Sequence, residues 1–175
     1  MKSIRVALVG NPNVGKTSIL NHLAGTSLKV GNWPGVTVEK REGKVIFWDY
    51  EINLVDLPGI YTLEPISDDE WVAYNYLRNE KPDLILNIIE TPNMERDLLL
   101  TVELLEHELP MVLVLNMSDE AQKLGIDVKD KWLSEILGVR VLRTNGRTGE
   151  GVKAILPNIV EVVNSKEKPK PLKYS

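Results

Sequence analysis

The sequence predicts an α/β fold: a mostly parallel six-stranded sheet with one antiparallel edge strand and helices on both faces. Three observations point there. Short apolar runs rich in β-branched residues alternate along the chain with stretches of helical apolar spacing. Those runs are too continuous for a sheet with one wet face, so helices must cover both sides. The polar, glycine-bearing segments follow the runs, at the strand ends where open α/β sheets bind their ligands. A length of 175 residues suits one domain, read as residues 1–165.

The first strand is "IRVALVG" (4–10), a buried run bounded by glycine. "KTSILNHLAG" (16–25) follows at helical spacing, with Gly25 as its stop. Residues 26–39 hold two glycines and a proline without periodicity and read as a loop. "REGKVIFWDYEINLVDLPG" (41–59) reads as two strands joined by a tight turn near Asp49–Glu51, which makes the antiparallel edge. Ser67 and the acids after it open a helix in "SDDEWVAYNYLRNE" (67–80). "PDLILNIIE" (82–90) is a buried strand, "MERDLLLTVELLEHE" (94–108) an amphipathic helix, and "PMVLVLNMSD" (110–119) a buried strand with a polar end. "VKDKWLSEILG" (128–138) is a helix stopped by glycine, "VRVLRT" (139–144) the last strand, and "GVKAILPNIVEVVNS" (151–165) the last helix. Pro157 should kink that helix or shift its start. Trp48, Trp71 and Trp132 fall on apolar faces and are expected in the core. The basic, proline-rich "KEKPKPLKYS" (166–175) reads as a linker or a cut end.

Composition removes several function classes. There are no cysteines, which excludes disulfides, thiolate zinc sites and cysteine nucleophiles and fits a reducing compartment. A formal net charge of −4 gives no pull toward nucleic acid. No apolar run approaches the ~20 residues that span a bilayer, and no secretory signal is visible, so a soluble chain is expected. His22 and His107 fall in no motif and read as surface or packing residues. With two isolated histidines and scattered acids, no iron-ligand cluster is visible.

"GNPNVGKT" (10–17) fits G-x-x-x-x-G-K-[ST] between a strand and a helix, as a phosphate loop requires. Gly10 and Gly15 would let the backbone of Gly10, Asn11, Pro12, Asn13, Val14 and Gly15 wrap a phosphate chain. The amides from Asn13 to Ser18 would point at it from a helix N-terminus. Lys16 would neutralise the β- and γ-phosphates, and the Thr17 hydroxyl would hold Mg²⁺. The loop alone does not choose between ATP and GTP.

The base is read from "LNMSD" (115–119), where Asn116 and Asp119 resemble the N-K-x-D guanine motif of small GTPases. The Asp119 carboxylate matches guanine's ring N–H and exocyclic amine, a donor pair that adenine lacks. Asn116 would tie this loop to the phosphate loop, and Met117 stands where lysine is usual and can lie along the base. In "RTNGRTGEG" (143–151), Asn145, Gly146 and Arg147 take the three places of the S-A-K/R pattern, with the Gly146 N–H meeting the guanine oxygen. "DLPG" (56–59) fits D-x-x-G: Asp56 would bind Mg²⁺ through water, Pro58 lies between, and the Gly59 N–H would sense the γ-phosphate. Thr37 is the expected second Mg²⁺ hydroxyl. Where many GTPases carry a water-orienting glutamine, this chain has Ile60, so slow intrinsic turnover is expected.

These segments, with "VGNWPGVTVEKREG" and "ETPNMERDLLLTVELLE" between them, together resemble the N-terminal G domain of the ferrous iron transport protein B (FeoB) family over residues 3–165. The resemblance implies a P-loop NTPase with a Ras-like G domain, a GTPase that regulates or drives ferrous iron uptake. It also implies a place on the cytoplasmic side of the membrane, followed in the full-length protein by a helical domain and a polytopic membrane domain. A small cytoplasmic partner or self-association would fit, and nucleic acid would not. The family is similar to potassium-activated GTPases, which assigns Asn13 to K⁺ beside the phosphates, with backbone carbonyls around Gly31 and Trp33. By its place in the same loop, Trp33 is either a partner contact or a lid over the nucleotide. Two other readings stay open: a potassium-activated GTPase of ribosome assembly or tRNA modification, and a nucleotide-sensing module whose turnover is incidental.

Overall fold

The computed structural model describes residues 1–169. Its sheet has seven strands: β1 (Lys2–Val9), β2 (Lys29–Asn32), β3 (Glu39–Phe47), β4 (Tyr50–Asp56), β5 (Leu84–Glu90), β6 (Met111–Asn116) and β7 (Arg140–Arg143). They lie in the order β2-β3-β4-β1-β5-β6-β7. Pairs from β4 to β7 are parallel, while β2–β3 and β3–β4 are antiparallel. The antiparallel edge thus has two strands instead of the expected one. The extra strand is β2, inside the segment read as a loop, where Val30 faces Arg41 and Gly31 faces Lys40. Its four residues are all exposed, so no apolar alternation marked it.

The helices are α1 (Lys16–Ala24), α2 (Asp68–Asn75), α3 (Met94–Leu105), α4 (Ser118–Lys123), α5 (Asp130–Leu137) and α6 (Ile155–Ser165). Strand periodicity divides the core in two. Ile4, Val6 and Leu8 of β1 pack with Ile19, Leu20 and Leu23 of α1 and Ile155 and Ile159 of α6. Ala7 and Val9 face the other way, onto Val72 and Leu77 near α2, Leu100 and Leu104 of α3, and Leu133 and Leu137 of α5. Ser67 and Glu70 close a capping box at the start of α2, which runs on into a wider turn over Tyr76–Glu80. Pro157 is the third residue of α6, where its missing N–H breaks no bond, so it fixes the start instead of kinking the helix. Lys166 ends α6 and Arg140 pairs with Glu167, at 2.8 Å, so the tail begins docked. Residues 170–175 of the expected linker lie outside the described residues.

Three tryptophans depart from expectation. Trp48 is 85% exposed, Trp132 60% and Trp71 50%. Trp48 occupies the turn between β3 and β4 at φ 55°, where among the described residues no element covers it, and it stacks on Phe47. Helical spacing put Trp71 and Trp132 on helix faces but could not tell whether another element lies over them. Among the described residues no helix is long and apolar enough to cross a membrane.

Candidate nucleotide-binding site

The loop between β1 and α1 lies at the C-terminal end of the parallel strands, and its glycines are needed by the protein itself. A Cβ on Gly10 would lie 2.4 Å from the Ile88 carbonyl oxygen, and one on Gly15 would lie 2.2 Å from Asn116 Nδ2. Gly15 also sits at φ 93°, which L side chains rarely adopt. It caps α1 without a side-chain hydrogen bond, and no acid occupies the first turn. The N–H groups of that turn are therefore left to an outside acceptor, as at an anion site. Lys16, the first residue of α1, is buried, with Nζ 3.5 Å from Asp56 Oδ1.

Asp56 ends β4 beside it. Burial pushes its carboxyl up, while Lys16 and then Arg41 pull it down. Its Oδ1 is buried and has no hydrogen-bond partner. A carboxylate oxygen paired with a lysine but free of hydrogen bonds, together with the Thr17 hydroxyl, supplies hard-oxygen donors of the kind that hold Mg²⁺ with substrate oxygens. No cluster of three or more His, Cys, Asp or Glu exists among the described residues, so a metal here would need those substrate oxygens.

Asn116 joins the phosphate loop to the base segments. Its Nδ2 donates to the Val14 carbonyl at 2.9 Å, while its Oδ1 accepts from the Gly146 N–H at 2.8 Å and the Thr144 hydroxyl at 3.0 Å. All four residues are buried. Asp119 lies in the first turn of α4, a helix the sequence did not announce; its cap is Met117, at φ 57°. The Asp119 carboxylate is half-buried, makes no hydrogen bond to the described residues, and lines a cleft of about 240 Å³ with Thr144, Asn145 and Glu150. Asn145 organises its own turn: its Oδ1 accepts from Arg147 N–H, and its carbonyl from Gly149 N–H. The Gly146 N–H assigned to the guanine oxygen already serves Asn116, so the base would have to share it. Arg147 is exposed.

The D-x-x-G segment is pinned to the phosphate loop. Ile60 N–H donates to the Gly10 carbonyl at 3.1 Å, and a Cβ on Gly59 would come within 2.9 Å of Pro12 Cα. Pro12 therefore packs against Gly59 as well as stiffening its own loop, and Pro58 is half-buried. Ile60 is 2% exposed and belongs to the core. Asn11 also turns inward, donating to Asp97 Oδ1 at 2.8 Å, which leaves only its backbone for phosphate.

Other expected residues are not gathered. Thr37 is exposed at the tip of the β2–β3 hairpin and makes no hydrogen bond to Thr17 or Asp56. Trp33 explains why: buried in the core, it meets Tyr76 edge-on at 5.7 Å and holds the hairpin there. It is neither a lid over the loop nor an exposed contact. Its carbonyl accepts the Val36 N–H, and Gly31 is paired within the hairpin. Asn13, exposed at φ 66°, leaves its side chain free of hydrogen bonds to the described residues.

Several residues at the site carried no motif. Asp97 also accepts the Glu90 N–H at 2.8 Å, and Glu103 holds Thr62 and Leu63 at 2.9 and 2.8 Å, so α3 anchors both the phosphate loop and the segment after D-x-x-G. His22 Nε2 lies 2.8 Å from the Gly146 carbonyl, an N–H donor bracing the base loop from α1. Arg41 donates to the Thr17 hydroxyl at 3.2 Å.

Known proteins are similar to this chain over most of its length. The family model described as ferrous iron transport protein B matches residues 4–159. A "Fe(2+) transport protein A/Fe(2+) transporter FeoB fusion protein" of Porphyromonas gingivalis is 46% identical over 166 residues, 94% of this chain and 20% of the relative. This chain thus spans about a fifth of that relative's length. The solved G domain of the T. maritima FeoB iron transporter is 44% identical, with a TM-score of 0.85 over 91% of this chain and 98% of that one. The T. maritima cytosolic domain in its GMPPNP form is 42% identical, with a TM-score of 0.93 over 98% of this chain and 68% of that one. A sheet with this loop at its C-terminal edge, matched nearly end to end by a solved G domain, places the chain in the ferrous iron transport protein B family, of which it is a G domain.

Proposed function

We propose that this domain binds guanine nucleotide with Mg²⁺ and hydrolyses GTP to GDP and phosphate, and that this cycle regulates or drives ferrous iron uptake. The observation that carries it is the Asn116 side chain, which bonds the phosphate loop and the base segment at once. A nucleotide bridging those segments would touch groups already fixed relative to each other, so little ordering is left to the moment of binding. The GMPPNP form of the T. maritima relative supports a nucleotide ligand.

The roles follow from position. The α1 amides hold phosphate oxygens, and Lys16 neutralises the β- and γ-phosphates. Thr17 and Asp56 would hold Mg²⁺, which when bound offsets charge on the transferring phosphoryl group. Thr37 joins them only if Trp33 leaves its seat beside Tyr76, an order–disorder switch of the kind G domains use. The Gly59 N–H, fixed by Pro12, senses the γ-phosphate. Water attacks in line, and Ile60, at the place of the usual glutamine, is apolar and buried and cannot orient it.

Asn13 fits one part of a K⁺ donor set, being exposed and unengaged at the loop. Gly31 and Trp33 would complete it only on opening of the same hairpin. The greater length of the relative supports attachment to further regions, which we read as helical and membrane-spanning, and the T. maritima relative's description as a cytosolic domain supports a place on the cytoplasmic side. GTP turnover measured in KCl and in NaCl tests the catalytic reading. K⁺ should raise turnover by about tenfold or more, on the scale of a charge-stabilising group in phosphoryl transfer, and Asn13→Ala should remove the difference. Equal rates in both salts would discard the potassium site and favour the sensing reading.

A further inference from the structure

We propose that Arg41 is a resident cation of the metal site: its guanidinium holds the Thr17 hydroxyl and faces the Asp56 carboxylate, and Mg²⁺ must displace it. The inference rests on the assignment of Thr17 and Asp56 to Mg²⁺ above.

The sheet register puts Arg41 there. Arg41 of β3 lies directly opposite Asp56 of β4, so their side chains leave the sheet on one face. That face is the α1 face. Gly43, two residues on, approaches α1 so closely that a Cβ would lie 2.4 Å from Ala24 Cβ. Lys40, one residue back, points to the other face, with Nζ 4.7 Å from the centre of the Trp33 ring. Alternation therefore leaves Arg41 as the hairpin cation aimed at the start of α1.

Its contacts are those of a stand-in. Arg41 Nη1 donates to Thr17 Oγ1 at 3.2 Å, and Nε pairs with Glu39 at 3.3 Å. Asp56 Oδ1, buried and without a hydrogen bond, has Lys16 Nζ 3.5 Å away. Thr17 and Asp56, the two side chains suited to a divalent cation, thus already lie within the field of a monovalent one. Mg²⁺ demands a close, near-octahedral oxygen shell. A guanidinium on the same hydroxyl oxygen competes with it for lone pairs and repels it.

The position also links metal to switch. Among the described residues, Arg41–Thr17 is the one side-chain hydrogen bond between the 29–42 hairpin and the phosphate loop or α1. When the metal takes Thr17, that tie breaks. The hairpin bearing Thr37 and Trp33 is then held by strand pairing and the Trp33 seat alone.

The test is Mn²⁺ binding to the GDP-loaded protein, followed by electron paramagnetic resonance, for the wild type, Arg41→Gln, Arg41→Lys and Thr17→Ala. Arg41→Gln should tighten Mn²⁺ about tenfold, with the gain shrinking at high salt as screening weakens the competing charge. Arg41→Lys, which keeps the charge, should stay within about threefold of wild type. Unchanged or weaker Mn²⁺ binding in Arg41→Gln would overturn the proposal, as would weakened GDP binding, which would put Arg41 on the phosphates. If Thr17→Ala binds Mn²⁺ like the wild type, the metal assignment itself fails, and that outcome is separate from any result at Arg41.

Discussion

Replacing Asn116 with alanine is expected to damage both the fold and the ligand site. The change leaves the Val14 carbonyl, the Gly146 N–H and the Thr144 hydroxyl without their partner in a buried place. Unpaired buried groups cost about 1–3 kcal/mol each, with relaxation recovering part, so a net loss of about 3 kcal/mol is reasonable. In a domain of this size that corresponds to a fall in Tm of roughly 6–12 °C. Nucleotide affinity should fall further than stability suggests, because the base segment and phosphate loop no longer share an anchor. Thermal unfolding with and without GDP checks both. A Tm within a degree of wild type would remove Asn116 from its structural role.

Lys16→Ala should have the larger effect on binding and the smaller on the fold. Lys16 is buried at the head of α1, where its charge would meet a bound phosphate without full solvent screening. Loss of two charge-assisted hydrogen bonds, at about 1.5–3 kcal/mol each, predicts at least a hundredfold weaker GDP and GTP binding. Asp56 also loses its closest cation. Burial already pushes that carboxyl up, so the variant should meet the loss by protonating Asp56 more readily, with Arg41 still nearby. Fluorescent GDP titration reads the affinity. Binding within threefold of wild type would refute the phosphate role.

What could be read in the sequence depended on how far apart the cooperating residues lie. The phosphate loop and the Asn116–Asp119 pair were legible because each is a short pattern with chemistry in its spacing. The alternating strands and helices were legible because burial on two faces forces continuous apolar runs. Contacts between distant single residues carried no such signal. Arg41 meets Thr17 across 24 positions, His22 meets Gly146 across 124, and Asn11 meets Asp97 across 86. A register count from Gly43 and Asp56 could have aimed Arg41, had the pairing been known. "GNWPG" was read as a loop from its glycines and proline, yet Gly31 and Asn32 end strand β2 and the buried Trp33 opens the turn of the hairpin. The exposed tryptophans failed for a related reason: periodicity locates a face, and only the tertiary fold says what lies over it.

Guanine recognition is the central claim, and it rests on Asp119, whose carboxylate makes no hydrogen bond to the described residues beside the cleft it shares with Asn145. Displacement of a fluorescent GDP by GDP, XDP and ADP, for wild type and Asp119→Asn, tests it most directly. Wild type should prefer GDP over ADP by at least a hundredfold, since adenine would cover the Asp119 acceptor pair without matching it. The variant should lose that preference for GDP and gain affinity for XDP, whose 2-carbonyl accepts from the asparagine amide. Equal displacement by GDP and ADP in the wild type, or an unchanged ranking in the variant, would contradict the account.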